Sequence, residues 1–420
     1  MNKYIRVLCG LMASILLFGA IQAQASEWTG GIVGISDDAQ VATEYYSEDL
    51  LLPLDEPEEI VALNPDGKLD IAAKSVVLME VSTGQILYEN NSHEKLPPAS
   101  ITKIMSLLLI FEAIDQGKLG LDNVITASEH ACSLGGSQIW LEPGETMTVD
   151  ELLKASVIAS ANDATVALAE TVAGSEEAFV ALMNQKAQQL GLKDTHFVNC
   201  HGLDVEGHYT SAHDVAVMSC ELIKHDLVKK YSTVWMDSLR GGKTSLVNTN
   251  KLVRFYDGCT GLKTGTTSQA GSCVAATAMR DGMEIVAVVM GAASSKDRFN
   301  GARKLLDYGF ANWSKVDVKV DESLLKNVPV KGGLKKDVAI RAEGNSSILV
   351  AKGRQNDVVQ NITLAEMVEA PVEQGQQLGQ VHLMLDDEEV GIIPILAVES
   401  VGKMTFKAAY IRLLAVLFRL

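Results

Sequence analysis

Ser100 and Lys103, Ser160 and Asn162, and Lys263 and Thr264 stand in three short words of the chain: Ser100-Ile101-Thr102-Lys103, Ser160-Ala161-Asn162 and Lys263-Thr264-Gly265. The first offers a hydroxyl nucleophile and an amine able to take its proton. The second adds another hydroxyl and an amide, and the third a strand-borne cation suited to a carboxylate. Together they are the inventory of an active-serine acyl-transfer site that uses lysine in place of histidine as its base. Each word alone has an ordinary structural meaning. Roughly one or two Ser-x-x-Lys matches arise by chance in a chain this long, and such a serine commonly does no more than start a helix. Asn162 or Asp163 would cap a helix, and Lys263 would be an exposed strand lysine. Three such words in this order are hard to assemble by accident.

The surrounding residues predict a different support for each word. Pro97 and Pro98 disfavour helix before Ala99, whereas Ile101, Ile104, Met105, Leu108 and Phe111 recur at helical spacing. Ser100 is therefore expected in a first helical turn, with Lys103 one turn along on the same face. The positive end of the helix dipole favours an alkoxide there. The apolar setting of Lys103 predicts desolvation and a lowered pKa. The second word falls between two amphipathic runs, one ending around Leu152, Leu153 and Val157, the next holding Val166, Leu168 and Val172. Catalysis would turn Ser160 and Asn162 into a cleft between those helices. Lys263 lies in an extended stretch, and residues 272–279 and 284–290 read as further strands joined at Arg280-Asp281-Gly282. Gly265, directly after Lys263-Thr264, would let a substrate backbone approach closely.

At the scale of the chain, residues 71–312 are expected to form an α/β domain, an antiparallel sheet covered by helices with a helical subdomain. Residues 313–402 alternate in short runs separated by Gly and Asp turns, the pattern of a small all-β domain. Residues 1–25 read as a secretory signal: Lys3 and Arg6, then an apolar run, then Ala23-Gln24-Ala25. Residues 26–70 are rich in Asp and Glu and read as a flexible acidic extension. The net charge of −17 argues against nucleic acid as a partner. Residues 403–420 carry Lys403, Lys407, Arg412 and Arg419 among apolar side chains, and too few residues to span a bilayer. An amphipathic anchor at a membrane surface fits better. Without Cys9, five cysteines remain, so at least one thiol is free. Cys259 and Cys273 flank the Lys263 strand, and a bridge across a hairpin there competes with buried free thiols. No metal-ligand spacing is visible, and no cofactor is expected.

The likeness of these words extends well beyond them. Pro97-Pro98-Ala99-Ser100-Ile101-Thr102-Lys103, Gly135-Gly136-Ser137, Leu141-Glu142-Pro143-Gly144-Glu145, His196-Phe197-Val198-Asn199 and His201-Gly202-Leu203 resemble the D-alanyl-D-alanine carboxypeptidases, low-molecular-mass penicillin-binding proteins of the serine peptidase class. The resemblance covers roughly residues 70 to 400. It implies that Ser100 attacks the penultimate D-alanine carbonyl of a peptidoglycan stem peptide, that Lys103 accepts its proton, and that Ser160 shuttles a proton to the leaving amine. It implies substrate binding by Asn162, Lys263, Thr264 and Gly265, with an oxyanion hole from the backbone N–H groups of Ser100 and Thr266. Arg298 matches an arginine near the carboxylate-binding corner, with a surface arginine as the plain alternative. β-Lactams would acylate the same serine, and the enzyme would work outside the cytoplasmic membrane, held at its surface. Cys200 stands where many relatives carry proline, His213 where many carry arginine, and Thr266 where some carry histidine.

Three rivals remain. A class A β-lactamase should hold a Glu-x-x-x-Asn loop for its deacylating water, but Thr195 stands four residues before Asn199. A DD-endopeptidase would use the same residues. A penicillin-binding receptor or wall-docking protein would acylate and barely turn over.

Overall fold

Residues 283–292 are apolar at nearly every position, the pattern of a strand covered on both faces. The computed structural model, which describes residues 67–417 apart from residue 345, places them in the middle of a five-stranded sheet. The expected signal and all but the last residues of the expected acidic extension lie outside the described residues. The strands are β1 (Ser75–Glu80), β2 (Ile86–Asn90), β3 (Cys259–Thr267), β4 (Gly271–Arg280) and β5 (Met283–Ala292). They lie in the order β2-β1-β5-β4-β3, and every neighbouring pair is antiparallel. Alternate residues of β5 serve separate cores. Val286, Val288 and Met290 pack towards the helical subdomain, whereas Ile285, Ala287 and Val289 meet Phe299, Leu305 and Leu306 on the opposite face.

Helices α1 (Lys103–Asp115), α2 (Val149–Ile158), α3 (Asn162–Ala173), α4 (Glu176–Gln189) and α5 (Ala212–Ile223) form the inserted layer, and α6 (Ser295–Asn312) covers the far face of the sheet. The helical periodicity expected after Ser100 is present, but α1 is buried almost all round rather than on one face. It is the central post of the subdomain. A 3-10 turn at Ala99–Thr102 precedes it, so Ser100 sits in the tighter entry turn. α2 begins with a full capping box between Thr148 and Glu151. The cap expected from Asn162 or Asp163 is replaced by Ala161, with Asn162 as the first residue of α3. The Asn162 side chain is used elsewhere, while Asp163 Oδ1 accepts the Ala164 N–H of the first turn at 2.9 Å as well as reaching outside the helix.

Residues 313–403 form the all-β part. Trp313–Val318 pairs with Ser346–Ala351, and four antiparallel strands run in the order Ile340–Ala342, Glu388–Ala397, Gln377–Leu385, Val358–Leu364. Val381, Leu383, Ile393 and Ile395 pack with Val318, Ile348 and Val350 in a core of their own. The strands at 328–331 and 358–364 escape a sequence reading. One is four residues long and holds Pro329, and the other is half exposed with Gln360 and Asn361 at its centre. The last described helix, α7, spans Phe406–Leu417. Among the described residues no helix is long and apolar enough to cross a membrane.

The five cysteines 132, 200, 220, 259 and 273 are all free. The Cys259–Cys273 alternative fails on register, because Cys259 pairs with Ala278 while Cys273 pairs with Gly265. Among the described residues no His, Cys, Asp and Glu cluster is arranged to hold a metal ion.

Candidate active site

Lys103, the first residue of α1, is fully buried, while Ser100 one turn earlier is half-buried. Lys103 Nζ lies 3.1 Å from Ser100 Oγ, 2.6 Å from Asn162 Oδ1 and 2.8 Å from the His201 carbonyl oxygen. Two of these partners are pure acceptors. A neutral amine has two N–H bonds and one lone pair. If its N–H bonds go to Asn162 and His201, the lone pair is left facing the Ser100 hydroxyl. Burial pushes the Lys103 pKa down from 10.5 to about 7, against weaker opposing pulls from Cys200 and Asp163. The amine expected from sequence to be desolvated is therefore half neutral near pH 7.

The second word turns into the same space. Ser160 occupies the left-handed backbone region, with φ of 62°, and its Oγ is buried without a hydrogen-bond partner. Asn162, expected to bind the substrate amide, has both ends of its own amide engaged. Oδ1 faces Lys103, and Nδ2 donates to the Gly135 carbonyl at 2.7 Å. Asp163 accepts the backbone N–H groups of Ile139 and Leu141, so α3 pins the loop from 135 to 141 against the site. Gly136 fits only as glycine: its φ is 80°, and a Cβ would lie 2.8 Å from Asn162 Nδ2.

β3 brings in the third word. Gly265 passes so close to the nucleophile that an added Cβ would stand 2.8 Å from the Ser100 backbone nitrogen. Lys263 is 1% exposed, and its Nζ has no hydrogen-bond partner. Burial first, then the charges of Lys103 and Arg298, press its pKa well below the usual lysine value. Thr264 Oγ1 donates to Thr249 Oγ1 at 2.8 Å. Arg298, on α6, is 3% exposed, so the surface alternative fails. Its Nη1 donates to Thr266 Oγ1 at 2.8 Å and to the carbonyl oxygens of Gly265 and Cys273 at 3.2 and 3.3 Å. It braces β3 from behind while adding positive charge to the corner.

Three supports have no role assigned by the sequence, although Gly202 and His208 stand in segments that resemble the family and His208 reads there as a loop residue. Gly202, with φ of 96°, lies under the 3-10 turn, and a Cβ on it would fall 1.9 Å from the Ala99 carbonyl oxygen. His208 Nε2 meets Thr102 Oγ1 at 2.7 Å, while its Nδ1 accepts the Val198 N–H. Thr249 donates its N–H to the Ile158 carbonyl, tying the end of α2 to the neighbour of Thr264. The glycine in His201-Gly202-Leu203 was a visible signal for the first, but long-range pairing left no local pattern for the others.

A serine beside a desolvated lysine, with Asn162 of the second word on that lysine and the Lys263 strand packed against the nucleophile, defines a serine acyl-transfer enzyme of the Ser-Lys type. The D-alanyl-D-alanine carboxypeptidase family matches residues 60–294, and the C-terminal domain of penicillin-binding protein 5 matches residues 313–403. The chain belongs to the D-alanyl-D-alanine carboxypeptidase family of serine peptidases. It is 46% identical to D-alanyl-D-alanine carboxypeptidase DacF of Bacillus subtilis, over 80% of this chain and 87% of that one. Penicillin-binding protein 5 from Haemophilus influenzae superposes with a TM-score of 0.71 at 32% identity, covering 80% of this chain and 98% of that chain. Penicillin-binding protein D2 from Listeria monocytogenes, solved in its ampicillin-bound form, gives 0.53 at 31% identity over 57% of this chain and 98% of that one.

Proposed function

We propose that this enzyme removes the terminal D-alanine from peptidoglycan stem peptides ending in D-Ala-D-Ala, through an acyl-enzyme on Ser100 that β-lactams also form. The observation that carries the reading is the buried, unpartnered Lys263 amine on the strand that packs against the nucleophile. A bound carboxylate terminus would stabilise the protonated form of this amine, and Thr264 and Arg298 stand next to it. Ser100 Oγ attacks the penultimate carbonyl carbon and its proton passes to Lys103 Nζ. The carbonyl oxygen, now an oxyanion, is met by the backbone N–H groups of Ser100 and Thr266. The C–N bond then breaks, and the proton reaches the departing D-alanine amine by way of Ser160. Water attacks the ester, Lys103 taking its proton, and Ser100 is regenerated. Asn162 keeps the lysine amine aimed at Ser100. The reading includes export by residues 1–25 and attachment by residues 403–420 to the outer face of the cytoplasmic membrane.

The test is D-alanine release from a diacylated Lys-D-Ala-D-Ala peptide by the parent and by Ser100→Ala. Release by the parent alone is expected. Equal release by both proteins would sink Ser100 as nucleophile. Release by neither, from a folded parent that still binds penicillin covalently, would favour the receptor or endopeptidase readings.

A further inference from the structure

Glu176 is a buried carboxylate at the start of α4, 9% exposed, and the reaction above gives it no task. Only the two residues Cys200 and His201 separate its contact from that of the catalytic lysine. Oε1 accepts the Cys200 N–H at 3.0 Å and lies 3.5 Å from His201 Nε2, and Oε2 meets His130 Nε2 at 2.7 Å. Burial alone would raise its pKa. The Cys200 N–H and the His130 hydrogen bond outweigh that, so the carboxyl sits below the usual range and stays ionised.

The segment it holds is the one that aims Lys103. Ser106 Oγ donates to the Cys200 carbonyl at 2.6 Å, and the next carbonyl, of His201, takes Lys103 Nζ at 2.8 Å. Gly202 then passes beneath Ala99 and Ser100. Three successive residues thus touch the carboxylate, the base and the turn of the nucleophile. The His201 carbonyl can be an acceptor for Lys103 only while this segment keeps its place. Residues 199–203 lie outside any helix or strand; within the segment Asn199 accepts the Gly202 N–H at 2.6 Å and donates to the Leu203 carbonyl at 2.9 Å, and Glu176 is what ties its start to α4. A shift of this carbonyl frees an N–H of the amine and lets its lone pair turn away from Ser100, a loss of aim felt in rate rather than in substrate binding.

We propose that Glu176 is a positioning residue for the reaction: by fixing the Cys200 N–H it holds the His201 carbonyl that orients Lys103 towards Ser100. The proposal rests on Lys103 being the base for Ser100. It requires an acceptor at this position and not a charge.

The experiment compares parent, Glu176→Ala and Glu176→Gln for kcat and KM of D-alanine release, for the rate of acylation by a fluorescent penicillin, and for Tm. Glu176→Ala is expected to lose about tenfold or more in kcat and in acylation rate, with KM within about twofold. Glu176→Gln keeps an acceptor for Cys200 and should remain within about threefold of the parent. Parent-like rates in Glu176→Ala would overturn the proposal. So would equal losses in both variants, which would mean that charge or general support of the fold is what matters. A parent that is acylated by penicillin but releases no D-alanine would sink the carboxypeptidase reading alone, and the acylation rates would still decide the role of Glu176. A parent that does neither would sink both.

Discussion

At the scale of single residues, the site turns on how one amine distributes its bonds. Lys103 meets two carbonyl-type acceptors and one hydroxyl, and only its neutral form has a lone pair for that hydroxyl. The acylation rate should therefore follow the neutral fraction, rising with pH through about 7 and levelling above it. Penicillin acylation measured from pH 5 to 9 checks this, and a flat profile would contradict it. Stability responds in a different window. The folded amine gives up its proton near 7 and the unfolded one near 10.5, so between these values the unfolded chain binds more protons and stability rises with pH. Below about 7 the cost of burying Lys103 is constant. The two dependences share one group and separate cleanly, one in rate and the other in denaturation midpoint.

At the scale of elements, what the sequence makes legible is whatever repeats locally. The helix after Ser100, the strands around Lys263 and the turn at Arg280-Asp281-Gly282 follow from spacing, and the structure has all of them. The type of site was legible too, because its words stand on three separate elements. Burial of α1 on every side was not, since a helix wrapped by other helices shows its neighbours only in three dimensions. The Asn162 cap failed because side-chain type suggests a local partner, whereas the real partners are Lys103 and Gly135, both distant in sequence. The loop from 199 to 203 has no period at all, yet it forms the floor under the nucleophile. Its glycine is the weak point. Gly202→Ala would need φ near 96° and would drive a methyl into the Ala99 carbonyl, so the entry turn or the loop must move. Strain of this kind costs about 1–3 kcal/mol or more. The expected result is a lower Tm together with a penicillin acylation rate reduced about tenfold or more. A fall in Tm with an unchanged rate would mean that the loop supports the fold without shaping the site.

At the scale of the whole molecule, the proposed membrane attachment sets the last helix against the net charge. The chain carries a net −17, so an anionic lipid surface repels it at long range. α7 nonetheless exposes Phe406, Tyr410 and Ile411 at 89%, 54% and 56%, in a stretch that also holds Lys403 and Lys407. Its twelve residues reach about 18 Å, against about 30 Å of bilayer hydrocarbon. Such a helix is too short to cross a bilayer; on the proposed attachment it would lie in the interface, combining apolar insertion with local cation contacts that act within about 10 Å. Removing residues 403–420 should abolish co-sedimentation with vesicles containing anionic lipid and leave D-alanine release from a soluble peptide unchanged. Added salt should weaken attachment only in part: it screens the tail's attraction and the body's repulsion together, and the apolar share does not respond to it. Co-sedimentation of the truncated chain equal to that of the full chain would show that the helix is not the anchor. Complete release at moderate salt would show that the cations act without the apolar face.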